Sequence, residues 1–201
     1  MVDYLQFVGE DCVVPTRKWG DLRFESGSFT PAVDGDLIVL FPGFDPAGEI
    51  TVRIHSECVF AEAFGSLICD CADQLETAMA VLQVASNSVL YYLRFDGRGE
   101  GLSAKVAATR LEMEGASTYD SRVHLSLRPE ARSFNAIGKD LHARGVGRVR
   151  LLTNNPVKIR GVEAEGVAVR VEPLIVPTPN VHVRRLYESK RQDFGHDIPS
   201  R

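Results

Sequence analysis

No run of about 18 or more apolar residues occurs in this chain, so no segment is long and apolar enough to cross a membrane as a helix. The formal net charge is only −4, which lacks the basic footprint that broad nucleic-acid binding needs to neutralise phosphates, although it leaves room for a local basic pocket. The N-terminus Met1-Val2-Asp3-Tyr4 has neither the basic start nor the apolar stretch of a signal peptide. Internal repeats and low-complexity linkers are also absent. Four cysteines in 201 residues are too few for a disulfide-stapled scaffold. The expected compartment is a reducing cytoplasm, where cysteines serve as metal ligands or nucleophiles more often than as disulfides.

What is present is the composition of an ordinary globular protein, 44% hydrophobic and 25% charged. That length suits one domain of ordinary size, residues 1–201, in three parts. Residues 1–50 are broken by Trp19-Gly20-Asp21, Pro31, Pro42-Gly43 and Pro46-Ala47-Gly48, with apolar runs such as 36–41 between them, which predicts several strands and turns. Residues 51–175 form the expected core. Strands are predicted at 50–54, 88–93, 149–152 and 167–171, and helices at 70–85, 102–114, 133–143 and 156–165, with 116–129 irregular. Residues 176–201 read as a tail with Pro177 and Pro179, leading to a charged helix over 184–191. Alternating strand and helix predict an α/β layered domain with a mixed or mostly parallel sheet flanked by helices and a β-rich N-terminal portion. Ligands of such sheets sit beyond the carboxyl ends of the strands. Three polar clusters fall there: His55-Ser56-Glu57, Arg94 to Arg98, and Thr153-Asn154-Asn155.

Cys58, Cys69 and Cys71 make a C-x(10)-C-x-C pattern, with Cys12 far away as a free thiol. Three thiolates leave a tetrahedral zinc one ligand short, and an open fourth position that can hold water distinguishes catalytic from structural sites. The alternative is three unrelated buried cysteines, a residue type often found inside. The segment Arg94-Phe95-Asp96-Gly97-Arg98-Gly99-Glu100-Gly101-Leu102 joins two arginines to three glycines between a strand and a helix. It reads either as a phosphate-approaching loop or as an ordinary glycine-rich connection. Leu151-Leu152-Thr153-Asn154-Asn155-Pro156 caps a helix, and Lys158 could also reach a phosphate.

Together, R-I-H-S-E-C, F-G-S-L-x-C-D-C, D-G-R-G-x-G-L, R-L-L-T-N-N-P-x-K and P-L-I-V resemble the GTP cyclohydrolase II family, from about Val52 to the C-terminal region. The family's members open guanine's imidazole ring at the entry to riboflavin synthesis. The resemblance implies zinc on Cys58, Cys69 and Cys71, with Mg2+ accompanying the triphosphate. It implies nucleotide contacts from Arg53, Ile54, His55, Ser56, Glu57, Gln74, Asp96, Gly97, Arg98, Thr118, Thr153 and Lys158. Arg132 matches the family's nucleophile toward the α-phosphorus and Glu130 its proton acceptor. The implied partners are GTP or a related purine nucleotide and a second copy of the chain, with neither nucleic acid nor membrane.

Four positions depart from the family's usual residues. Phe95 stands for a glutamine, Asp96 for a glutamate, Glu130 for an aspartate and Thr109 for a site tyrosine. The last is the most telling, since a threonine hydroxyl cannot reach where a phenol would sit. The expectation is ring opening at carbon 8 with pyrophosphate release, the formyl group being retained on 2-amino-5-formylamino-6-ribosylaminopyrimidinone 5'-phosphate. The alternatives are a catalytically weakened nucleotide-binding homologue acting as sensor or partner protein, or an enzyme for another purine nucleotide.

Overall fold

A computed structural model describes residues 8–30, 35–176 and 180–199. The N-terminal residues 1–4 and Pro31, Pro177 and Pro179, singled out above, lie outside the described residues. The strands are β1 (Asp11–Thr16), β2 (Gly20–Gly27), β3 (Asp36–Leu40), β4 (Ile50–Ser56), β5 (Ser88–Leu93), β6 (Arg148–Leu152) and β7 (Ala168–Glu172). They form one sheet in the order β1-β2-β3-β5-β4-β6-β7. The β1-β2, β2-β3 and β3-β5 pairs are antiparallel, whereas β5-β4, β4-β6 and β6-β7 are parallel. The strand-rich N-terminal portion therefore extends the same sheet as the α/β part. Pro15 sits in β1, an edge strand, where its missing N–H is tolerated.

The helices are α1 (Val59–Glu62), α2 (Cys71–Val84), α3 (Gly101–Met113), α4 (Thr118–His124), α5 (Asn135–Ala143), α6 (Pro156–Glu163) and α7 (Val181–Phe194). Strand alternation divides the interior in two. Ile50, Val52 and Ile54 of β4 pack on one side with Phe134, Ile137 and Leu141. On the other side Val39, Leu90 and Leu152 meet Ala78, Met79 and Leu82 of α2.

Two segments differ from the sequence reading. The stretch expected to be irregular, 116–129, contains α4, whose N-cap Ser117 accepts from Asp120 N. At seven residues this helix is too short to show a periodicity. The tail helix is longer than expected, because Asn180 caps its start by accepting from His182 N and Val183 N, and Gly195 ends it at φ 66°.

Helices α5 and α6 approach closely at two glycines. A Cβ on Gly138 would lie 2.7 Å from the Gly161 carbonyl oxygen, and one on Gly161 would lie 2.8 Å from the Phe134 backbone carbon. Because the obstacle is backbone, it cannot simply rotate away. Gly138→Ala should therefore destabilise the protein by about 1–3 kcal/mol, seen as a lower urea midpoint. An unchanged midpoint would mean that the two helices are not held at this distance.

Candidate functional site

Adjacent parallel strands β5, β4 and β6 end side by side, so the residues after them converge on one cleft. Its walls include Arg53, His55, Ser56 and Glu57 from β4, Phe95 to Arg98 after β5, and Thr153 to Asn155 after β6. The three polar strand ends read from sequence thus come together. Cys58, Cys69, Cys71, Gln74, Thr118 and Lys158 join them. Ile54 does not: its side chain is fully buried in the apolar core, and it contributes its carbonyl, which accepts from Lys158 Nζ at 2.8 Å.

The three sulfurs lie within 4.8 Å of one another, Cys58 Sγ and Cys69 Sγ at 3.6 Å. Thiolates at about 2.3 Å from a tetrahedral ion stand about 3.8 Å apart, so the donor set and spacing fit zinc. Hydrogen bonds from Cys69 and Cys71 hold the Cys58 thiol far below its ordinary range, helped by Lys105 Nζ at 3.0 Å. The same sharing pushes Cys69 up to about 11 and Cys71 well above the usual value. One negative charge is thus accommodated among three thiols, and a cation is needed to ionise the rest. Lys105 also donates to Asp96 Oδ1 at 2.6 Å. The remaining Asp96 oxygen accepts from Val59 N at 3.0 Å, which ties the glycine-rich loop to the start of α1.

On β4, Arg53 NH1 donates to the Leu152 carbonyl and NH2 to Gln74 Oε1, both at 3.0 Å. His55 Nε2 meets Glu62 Oε1 at 2.8 Å, and Glu62 also accepts from Cys58 N and Tyr92 Oη. Burial would raise the Glu62 carboxyl, but these donors outweigh it and keep the group ionised. An ionised carboxylate only accepts, so the His55 proton sits on Nε2. Burial lowers His55 to about 4, so at neutral pH its Nδ1 is a lone-pair acceptor, and no partner faces it.

Arg98, Arg132 and Lys158 make part of the cleft lining cationic. Glu130 takes both edges of Arg132, Oε1 from Nε at 2.7 Å and Oε2 from NH2 at 2.5 Å, with Arg98 NH1 at 3.2 Å. Burial opposes the Glu130 charge, yet Arg132 and then Arg98 bring this carboxyl down to about 2. Arg98 has φ 60°, a strained value for a side-chain-bearing residue, between Gly97 at φ 60° and Gly99 at φ 89°. Its guanidinium stacks 3.8 Å from the Phe194 ring centroid of α7. Lys158 is buried beside the Phe134 ring, and burial drives its pKa well below the usual lysine value.

Thr109 faces the cleft one turn from Lys105 on α3, and Glu112 follows three residues on. Of the departures, Phe95 is 4% exposed and packs edge-on against Phe134. Sequence reasoning missed Lys105, Arg122, Leu186, Lys190 and His196, all of which line the cleft. Spacing carried no signal for the residues of α7, which sit far along the chain from every motif. Lys105 was accessible, since it lies four residues before Thr109 on one helix face.

Residues 8–173 match the family model for GTP cyclohydrolase II. The chain is 36% identical over 189 residues to the GTP cyclohydrolase-2 of Archaeoglobus fulgidus, covering 94% of this chain and 49% of that protein. It is 39% identical over 188 residues to the monofunctional riboflavin biosynthesis protein RIBA 3, chloroplastic, of Arabidopsis thaliana, covering 91% and 36%. With the riboflavin biosynthesis protein RibBA of Bacillus subtilis it shares 35% over 176 residues, 86% and 44%. The chain thus spans about half or less of the length of these relatives.

Metal analysis of the purified protein should find about one zinc per chain, and Cys69→Ser should lose most of it. Equal zinc in the two proteins would remove the thiols from the metal site. His55 makes acid stability predictable as well. Between pH 6.5 and about 4 the unfolded chain binds a proton that the folded chain refuses, so stability falls as pH drops through that window. The loss from this group should reach about 3 kcal/mol at pH 4, read by urea unfolding of the zinc-free protein. His55→Gln should flatten that slope, and an unchanged slope would refute the assignment.

Proposed function

This chain belongs to the GTP cyclohydrolase II family, and from that premise we propose that it hydrolyses GTP, opening the imidazole ring at carbon 8 and releasing pyrophosphate. The observation that carries this reading is one cleft lined both by three clustered thiols and by Arg98, Arg132 and Lys158. A purine triphosphate needs both a hydrolytic centre for its base and several cations for its tail. Zinc held by Cys58, Cys69 and Cys71 supplies Lewis acidity to the hydrolysis. Magnesium enters with the triphosphate as its counter-ion.

The chain's own side chains do the rest. His55 Nδ1 and Ser56 Oγ are buried and unpartnered, and they are suited to polar groups of the nucleoside. Lys105 holds Cys58 and Asp96 together and so fixes the thiol cluster against the glycine-rich loop. Arg132 acts through charge. A carboxylate with its pKa lowered to about 2 is too weak a base to take a proton from a guanidinium, so Arg132 stays protonated and is held in place by Glu130 to meet the charge of the transferring phosphoryl group. The same fork favours the second reading, a nucleotide-binding homologue with weakened chemistry. Mass spectrometry of products from GTP and zinc-loaded protein separates the two. A ring-opened pyrimidine with pyrophosphate is expected, and nucleotide bound but returned intact would support the homologue.

Thr109 bears on the product. One water opens the ring, one cleaves the phosphoanhydride, and a third is needed to release formate. A threonine hydroxyl at 109 cannot reach where a phenol would sit, and displacement of about 1 Å can cost about a hundredfold in rate. The unmodified protein should release pyrophosphate while the formyl carbon stays on the pyrimidine. Thr109→Tyr should raise formate release, within the 10²- to 10⁴-fold range typical of positioned acid–base groups. One formate per pyrophosphate from the unmodified protein would show that Thr109 does not truncate the reaction.

A further inference from the structure

Among the described residues, four buried side-chain polar atoms have no hydrogen-bond partner: Arg53 Nε, His55 Nδ1, Ser56 Oγ and Arg122 Nε. Unpaired buried donors and acceptors are costly and rare, and in a cleft they mark where a ligand completes the bonding. All four residues line the same cleft. The first three are nucleotide contacts in the reading above. Arg122 is the fourth, and no family motif named it.

Arg122 lies on α4 and is 5% exposed, yet it is a full cation. Burial and then the charge of Arg132 lower its pKa, with Glu112 opposing them. Arg98 feels the same crowding and falls to about 9, through burial and then Arg132, with Arg122 contributing. Arg98, Arg122 and Arg132 therefore repel one another and Arg132 also repels Lys158, while Glu100, Glu112 and Glu130 answer them. A surplus of buried positive charge beside an unpaired N–H is complementary to a polyanion and a poor match for the uncharged edge of a purine.

We infer that Arg122 is a further phosphate contact of the nucleotide, donating its Nε–H to a non-bridging oxygen of the triphosphate. The proposal rests on the nucleotide reading of the cleft but needs only polyphosphate chemistry, not turnover. It also explains the place of α4. Ser121 Oγ shares its one proton between Glu112 Oε1 at 3.2 Å and the Thr118 carbonyl at 3.1 Å, which ties the helix turn carrying Arg122 to α3.

Calorimetric titration of the zinc-loaded protein with tripolyphosphate, GTP and guanosine tests this. Arg122→Gln should weaken tripolyphosphate and GTP by about 10- to 100-fold, the worth of a charge-assisted hydrogen bond. Guanosine should change by less than about twofold, and zinc content should hold. Arg122→Lys keeps the charge in a smaller side chain without the planar fork, so it should fold and show an intermediate loss. Unchanged tripolyphosphate affinity in either folded variant, or an equal loss for guanosine, would overturn the proposal. So would an unmodified protein that does not bind tripolyphosphate. An unmodified protein that binds tripolyphosphate with this Arg122 dependence, yet leaves GTP intact, would overturn the proposed activity and support the phosphate contact.

Discussion

Strand β4 carries two demands at once. It lies between β5 and β6, both parallel to it, and is covered on both faces, yet every second residue on one face is polar. Thr51, Arg53 and His55 are each 5% exposed or less. Burial of such groups is tolerable only when hydrogen bonds replace water. Thr51 Oγ1 accepts from Arg150 of β6, Arg53 donates to the Leu152 carbonyl and to Gln74 of α2, and His55 pairs with Glu62 of α1. Partners thus come from β6, α1 and α2, and satisfying β4 helps fix where those elements sit. Arg53 Nε and His55 Nδ1 escape this network, which leaves the strand's polar face facing the cleft with unspent bonding capacity.

The cationic wall is a second consequence of burial. Phe134 is fully buried at the N-cap of α5, with Lys158 Nζ 5.3 Å and the Arg132 guanidinium 5.7 Å from its ring centroid. An aromatic face attracts cations without adding a negative charge that would cancel them. Phe95 meets the edge of the same ring, so a side chain standing for the family's polar residue becomes support for the platform. Glu100, Glu112 and Glu130 answer these cations, and Glu130 is locked into the Arg132 fork.

Much of this was legible in the sequence. Strands β3 to β7 and helices α2, α3, α5 and α6 announce themselves through apolar runs and helical spacing, and motif residues of β4 and of the loops after β5 and β6 converge as their order implies. Helix α4 was not legible, because a seven-residue helix held by one serine cap shows no period. Ile54 sits inside a motif whose other members reach the cleft, but period-two alternation turns it into the core. A contiguous motif does not say which of its residues act through side chain and which through backbone. Arg122 and Lys190 carried no motif at all, and only tertiary packing brings them to the cleft.

The C-terminal helix shows how far such packing reaches. The family match ends at residue 173, whereas α7 begins at Val181. Asp70, at the N-cap of α2, leaves the helix uncapped by its side chain and gives its oxygens elsewhere. Tyr187 Oη donates to it at 2.6 Å and Lys190 Nζ at 3.3 Å, while Gln74 Nε2 donates at 2.7 Å. Gln74 then accepts from Arg53, so a continuous chain of hydrogen bonds runs from α7 to β4. Phe194 lies under the Arg98 guanidinium, and Asp197 N donates to the Asn154 carbonyl after β6. These contacts fasten α7 and the residues after it to the cleft through Arg53, Arg98 and Asn154. A buried charge pair helps only when its geometry is held by further bonds. For Arg98 part of that holding comes from Phe194 of α7, a helix that the motifs read in the sequence do not contain.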